Sequence, residues 1–230
     1  MLHQDVVDNY NHIVENVKSA LLKSGRDNNT DGVQIMAVTK TIEPDRINAA
    51  ISCGVELLGE NRAQEFLQKK NDYQLGERTK VHFIGSLQSN KVKQIITQVD
   101  MIHSADSESL VCEIDRQAKL NNLTMDVLIQ VNIAREQTKG GVLPEKLDEF
   151  ARFVFAQSGV RLRGLMAIPP IGDSVRYFGE MQKLFESCKL VYPNFDTLSM
   201  GMSNDYVEAI LHGANIIRLG SVLFGTRESK

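Results

Sequence analysis

Apolar residues recur along this chain with two periods, and the alternation between them predicts its elements. Val6, Tyr10, Ile13, Val14, Val17 and Leu21 fall at helical spacing, which predicts an amphipathic lead-in helix over 5–23. Asp27-Asn28-Asn29-Thr30-Asp31-Gly32 then breaks the pattern with turn-forming residues. Beyond it, short apolar runs predict strands near 33–38, 55–59, 81–85, 100–104, 125–133, 161–168, 196–200 and 215–219. Helical stripes lie between them. Val92, Ile95, Ile96 and Val99 form one, and Leu110, Val111, Ile114 and Ala118 a second. Leu147, Phe150, Ala151 and Val154 form a third, opened by Pro144, a residue suited to a first helical turn. Phe178, Met181, Phe185 and Cys188 form a fourth.

Apolar strands alternating with helices predict a parallel sheet covered on both faces. Eight such units predict closure into an α/β fold of the (β/α)8 TIM-barrel type, although about 250 residues is more usual for that fold. The alternative is an open doubly wound sheet. That fold usually carries Gly-x-Gly-x-x-Gly after its first strand, where this chain has Thr39-Lys40-Thr41-Ile42. No low-complexity segment or linker divides the sequence, so residues 1–230 are expected to form a single domain.

Composition narrows the class without naming it. A net charge of −3 offers no basic face for nucleic acid or for an anionic membrane surface. The N-terminus has no basic stretch followed by an apolar core, and no apolar run approaches the ~20 residues of a membrane-spanning helix. Cys53, Cys112 and Cys188 are odd in number and widely spaced, which suits free thiols in a reducing compartment. His3, His12, His82, His103 and His212 are scattered and show no metal-ligand spacing. The expectation is a cytoplasmic, metal-free protein.

In a barrel of this type the chemistry sits at the C-terminal ends of the strands, with phosphate often bound after strands 7 and 8. Lys40 ends the first strand. It is either a nucleophile whose neutral amine a partly desolvated pocket favours, or a solvated residue opening a loop. Asn61 follows the second strand and could bond a ligand or cap the next helix. His82 lies inside the third strand, where a lone histidine is commonly a satisfied core residue. Ser86-Leu87-Gln88-Ser89-Asn90-Lys91 reads as a helix start capped by Ser89 or Asn90. Thr138-Lys139-Gly140-Gly141 is a solvated loop, a flap or an anion contact, and Met166 is wall or core. Ser203, after the seventh strand, could cap a helix or bind phosphate beside its N-terminus. Arg218-Leu219-Gly220-Ser221 ends the eighth strand, where Gly220 permits close approach and the amides of Gly220 and Ser221 could cradle phosphate oxygens. Barrel closure would set this turn across a seam from Lys40. A phosphorylated carbonyl compound fits that pairing.

Several motifs carry a resemblance. Ala37-Val38-Thr39-Lys40, Gly59-Glu60-Asn61-Arg62-x-Gln64-Glu65, His82-Phe83-Ile84-Gly85-x-Leu87-Gln88-Ser89-Asn90-Lys91, Leu198-Ser199-Met200-Gly201-Met202-Ser203-x-Asp205 and Arg218-x-Gly220 resemble the YggS/PROSC family of pyridoxal phosphate homeostasis proteins. The resemblance runs in order from Val33 to Arg227. It implies a barrel like the N-terminal domain of alanine racemase, with pyridoxal 5′-phosphate held as a Schiff base on Lys40. It further implies phosphate contacts from Ser203, Gly220 and Ser221, Arg218 facing the pyridine nitrogen, and Asn61 and His82 near the cofactor. The chain departs from the family at Val81, where tryptophan is frequent, and at Leu58, where phenylalanine is common. Ser221 replaces the usual threonine, which keeps the hydroxyl, and Thr138 replaces a frequent serine.

The arginine has a chemical consequence. A guanidinium donates and cannot accept, so the pyridine nitrogen it meets stays unprotonated and the ring is a weak electron sink. Racemisation also needs groups on both faces of the α-carbon. In alanine racemase the second is a tyrosine tied to a further C-terminal domain, whereas this sequence stops soon after the eighth strand. Tyr206 is the nearest candidate here, at a helix start where packing is the simpler role. The expectation is a carrier or homeostasis protein for the cofactor, monomeric, without efficient catalysis of its own, and meeting cofactor-dependent apoenzymes transiently. A weak racemase or other amino-acid-transforming enzyme is the alternative. A Schiff-base aldolase and a pure interaction protein stand behind it.

Overall fold

The computed structural model describes residues 3–26, 32–170 and 172–225. The turn-rich break at 27–31 therefore lies outside the described residues, as does the end of the chain beyond Gly225. Eight strands follow the lead-in helix α1 (Gln4–Lys23): β1 (Gln34–Val38), β2 (Leu57–Glu60), β3 (Lys80–Phe83), β4 (Met101–Ala105), β5 (Met125–Val131), β6 (Val160–Ala167), β7 (Thr197–Met202) and β8 (Ile216–Leu219). The helices between and after them are α2 (Pro44–Ser52), α3 (Ala63–Lys69), α4 (Ser89–Ile95), α5 (Glu108–Leu120), α6 (Leu147–Phe155), α7 (Ser174–Lys189), α8 (Tyr206–Leu211) and α9 (Ser221–Phe224). The strands run in sequence order as a closed barrel, so the open-sheet alternative is excluded.

All eight expected strands are present, displaced at their ends by a few residues. Every position of β2, β4 and β8 is buried, while β1 is buried only at Met36 and Ala37. A continuous apolar run is what a strand needs when side chains on both faces meet protein. Three boundary expectations need correction. Helix α4 begins at Ser89 with Gln88 as its N-cap and no side-chain cap bond, so neither Ser89 nor Asn90 caps it. Pro144 opens a 3-10 turn, Pro144–Lys146, that leads into α6. Val99 lies beyond α4, in the turn that leads into β4.

By compactness the chain forms two units. Met1–Lys80 with Met200–Lys230 makes one, and Val81–Ser199 the other. In the first unit, β1 pairs in parallel with both β2 and β8, the latter from Gln34↔Ile216 to Ala37↔Leu219. Helix α1 packs on α2, α8 and α9. It is bolted there by polar bonds: Asn9 Nδ2 donates to Leu223 O at 3.0 Å, Asn16 Nδ2 to the Tyr206 hydroxyl at 2.9 Å, and Arg26 to the carbonyls of Ile210 and Ala214. Arg46 of α2 reaches both Asp5 and the Phe224 carbonyl. The lead-in helix thus anchors the C-terminal helices that follow β7 and β8.

In the second unit, β3 to β7 pair successively. Met101, Leu128 and Met166 meet in its core, so Met166 is a packing residue. Between β5 and β6 the register slips at Arg163, a bulge that brings Gly164 against β7. A Cβ on Gly164 would lie 1.8 Å from the Thr197 carbonyl oxygen, so only glycine fits. Asp126 binds Arg161 and Arg163, and Arg163 also binds Asp196, a charged network across β5, β6 and the approach to β7.

Candidate functional site

In the first unit, Lys40 follows β1 and is partly buried. The residues on either side of it are held by side chains that expectation from the sequence did not single out. Thr39 is fully buried; its amide bonds Gly59 O at 3.1 Å and its hydroxyl donates to Glu60 Oε1 at 2.7 Å. The Thr39 carbonyl accepts Lys69 Nζ at 2.6 Å. Thr41 has φ of 61°, a left-handed conformation costly for a β-branched residue. Its amide donates to Glu65 Oε1 at 2.5 Å, and Glu65 in turn binds Lys69 at 2.8 Å. Burial pushes the Glu65 carboxyl up, but the bonds from Lys69 and the Thr41 amide, with the Lys69 and Arg62 charges, outweigh it and hold the group below its ordinary value. The turn bearing Lys40 is therefore strained and clamped.

Across the β1–β8 seam lies the second cluster. Ser203 Oγ accepts the amides of Gly220 and Val222 at 3.3 Å each. Ser203 does not cap α8, whose N-cap is Asp205; Asp205 instead accepts the Met202 amide at 2.7 Å. The turn is possible because Gly201 takes φ of 89°, where a Cβ would sit 2.5 Å from that of Ala209. Gly220 lies over Val38, its ideal Cβ position 3.8 Å from that side chain. The amide corner and the Lys40 strand end are thus neighbours through β1 and β8. The Val222 amide joins that of Gly220 on Ser203, and Ser221 between them is exposed.

Arg218 comes from β8 in register with Met36 and is buried. Burial pushes its guanidinium down to about 10, opposed by the charge of Asp205. It remains protonated at neutral pH. Asn61 is partly buried and does not cap α3, whose N-cap is Arg62. Two converging amides, a hydroxyl, a guanidinium and a strand-end lysine form the donor set expected for a phosphorylated aldehyde. The 3.3 Å bonds to Ser203 are long enough to yield to a stronger anionic acceptor. Pyridoxal phosphate fits these residues.

In the second unit, His82 is buried and its Nδ1 lies 2.9 Å from His103 Nε2; His103 Nδ1 lies 3.1 Å from Ser199 Oγ. The three side chains come from β3, β4 and β7 and form one buried chain that strand position alone does not reveal. The loop after β5 is pinned rather than flap-like. Val142 and Asn132 extend the strand pairing, Gln130 Nε2 donates to Gly140 O, and Asn132 Nδ2 donates to the carbonyls of Glu136 and Lys139. A cavity of about 320 Å³ opens nearby, lined by residues including Asp106, Glu108, Leu143 and Lys146. Among the described residues no cluster of metal-binding side chains occurs, and no helix is long and apolar enough to cross a membrane.

Comparison with known proteins bears on this geometry. The family model for the alanine racemase N-terminal domain matches residues 9–228. A pyridoxal phosphate homeostasis protein of Aquifex aeolicus is 40% identical over 221 residues, which is 94% of this chain and 96% of that protein. A structure of an unknown protein from Bifidobacterium adolescentis superposes with a TM-score of 0.88 at 31% identity, covering 96% of this chain and 95% of that one. PipY of Synechococcus elongatus, in a structure with pyridoxal phosphate bound, superposes with a TM-score of 0.78 at 30% identity over 93% of this chain and all of that one. This chain belongs to the family of pyridoxal phosphate homeostasis proteins, built on the alanine racemase N-terminal domain.

Proposed function

We propose that this protein binds pyridoxal 5′-phosphate and serves its homeostasis and carriage, without efficient catalysis of its own. The observation that carries the reading is the β1–β8 pairing, which brings the strand end bearing Lys40 beside the Ser203–Gly220–Val222 corner. Ser203, Gly220 and Ser221, with the added amide of Val222, receive the phosphate, and Arg218 donates to the pyridine nitrogen. Asn61 borders the ring. When bound, the cofactor supplies an aldehyde that condenses with the Lys40 amine and releases water.

Two features favour carriage over turnover. Arg218 is a permanent donor, so it cannot help protonate the pyridine nitrogen. Tyr206, the candidate second acid–base group, is buried, and its hydroxyl accepts from Asn16 of α1, which holds it against the lead-in helix. His82 is proposed as a tuning residue through its bond to His103. The three free thiols suit a reducing cytoplasm, and burial pushes those of Cys53 and Cys188 up, Cys188 to about 11, which keeps them unreactive. We propose a monomer that meets recipient apoenzymes transiently.

The test is the visible spectrum of the purified protein with pyridoxal phosphate, before and after borohydride, beside Lys40→Ala. A yellow band that borohydride bleaches, absent from Lys40→Ala, is the expected result. No band in the wild-type protein would overturn the cofactor assignment.

A further inference from the structure

Behind the Lys40 turn lies a buried carboxyl that the proposed cofactor contacts leave without a task. Glu60 ends β2 and is fully buried. Its Oε1 accepts the hydroxyls of Thr39 at 2.7 Å and Tyr73 at 2.6 Å. Its Oε2 is buried too and has no hydrogen-bond partner among the described residues. The Tyr73 hydroxyl is pushed well above the usual phenol range, first by burial and then by its bond to Glu60, so it stays a donor at ordinary pH.

Fold stability does not account for this group. Taking a carboxylate out of water is costly, and the unmade bond at Oε2 adds about 1–3 kcal/mol. An apolar side chain of similar volume, with Tyr73 replaced by Phe, would fill the space without a buried carboxylate. Strand pairing does not require the carboxyl either, because the Thr39 amide already bonds the Gly59 carbonyl. What Glu60 holds is the hydroxyl of Thr39, the residue before Lys40, at 2.7 Å, closer than its other acceptor, the Gly59 carbonyl at 3.2 Å. The residue after it, Thr41, is held by Glu65. The two acids of the Gly59–Glu65 segment therefore clamp the two flanks of one lysine.

Resting on the reading of Lys40 as the cofactor lysine, we propose that Glu60 is a positioning residue: through Thr39 it fixes the direction in which Lys40 leaves β1. Reach and angle of the amine toward a carbonyl carbon depend on that direction. Recognition of the phosphate, which rests on Ser203, Gly220, Ser221 and Val222, does not. Glu60 therefore governs the covalent step and leaves non-covalent affinity alone.

The experiment measures two quantities on each variant: the rate at which pyridoxal phosphate becomes attached, by stopped-flow absorbance, and the affinity for pyridoxine 5′-phosphate, which lacks the aldehyde. Thr39→Val keeps the shape and removes the hydroxyl that Glu60 holds, while Thr39→Ser restores it. Thr39→Val and Glu60→Gln are expected to slow attachment about tenfold with pyridoxine 5′-phosphate affinity changed less than about twofold, and Thr39→Ser to recover the rate. If Glu60→Gln does not fold, the Thr39 pair decides alone. Attachment at the wild-type rate in Thr39→Val, or parallel loss of rate and affinity, would overturn the proposal. Wild-type protein that never attaches the aldehyde would instead overturn the Lys40 reading beneath it, and would do so before any variant is compared.

Discussion

Ser203 carries two roles that a sequence cannot separate, because a hydroxyl before a helix suits both a cap and an anion site. The structure gives the cap to Asp205 and turns Ser203 toward the amides of Gly220 and Val222. A bound phosphate would take over those amides and keep the hydroxyl as a third donor. Ser203→Ala should therefore weaken binding of pyridoxine 5′-phosphate by about tenfold, the worth of one hydrogen bond to a charged group, measured by equilibrium titration. Unchanged affinity would remove Ser203 from the proposed cradle. Glu60 makes the complementary case. It stood inside a recognised motif, yet nothing in its spacing predicts that its carboxyl meets Thr39 and Tyr73, 21 and 13 positions away.

At the level of elements, α3 acts as the brace of the Lys40 turn, because Glu65 and Lys69 share one of its faces. The Glu65 carboxyl is held below its ordinary value in the folded chain. A depressed folded pKa contributes stability that is present above the unfolded value of 4.5 and is lost as pH falls through the folded value. Glu65→Gln should then melt at a lower temperature than wild type at neutral pH, by a few degrees. That gap should begin to narrow as pH drops below 4.5 and close only below the lower folded value, where Glu65 is neutral in the folded wild-type chain as well. A gap that persists unchanged in acid would mean that shape, not charge, holds the turn. Strand and helix types were readable because apolar runs and 3.6-residue stripes are local patterns. Strand ends were less so: β1 stops at Val38 and Thr41 bends the other way because of Glu65, which lies 24 residues on.

For the whole molecule the governing contact is the β1–β8 pairing, which joins positions about 180 residues apart and closes a loop of high contact order. One compact unit contains both ends of the chain, and the other is the segment between them. We propose that the barrel nevertheless unfolds as one cooperative domain. Far-ultraviolet circular dichroism and tyrosine absorbance should then report the same thermal midpoint, since Tyr10, Tyr73 and Tyr206 lie in one unit and Tyr177 and Tyr192 in the other. Two separated transitions would establish independent domains.

The order and type of the elements, the barrel class and the residues at the strand ends follow from the one-dimensional record, because periodicity, turn residues and motif order are properties of neighbours along the chain. The partners of those residues follow from closure instead. The meeting of Lys40's strand with Gly220's turn, the grip of Glu60 on Thr39 and the His82–His103–Ser199 chain each join side chains remote in sequence. Burial and hydrogen-bond geometry select such pairs only when every strand has taken its register, so no local pattern can encode them.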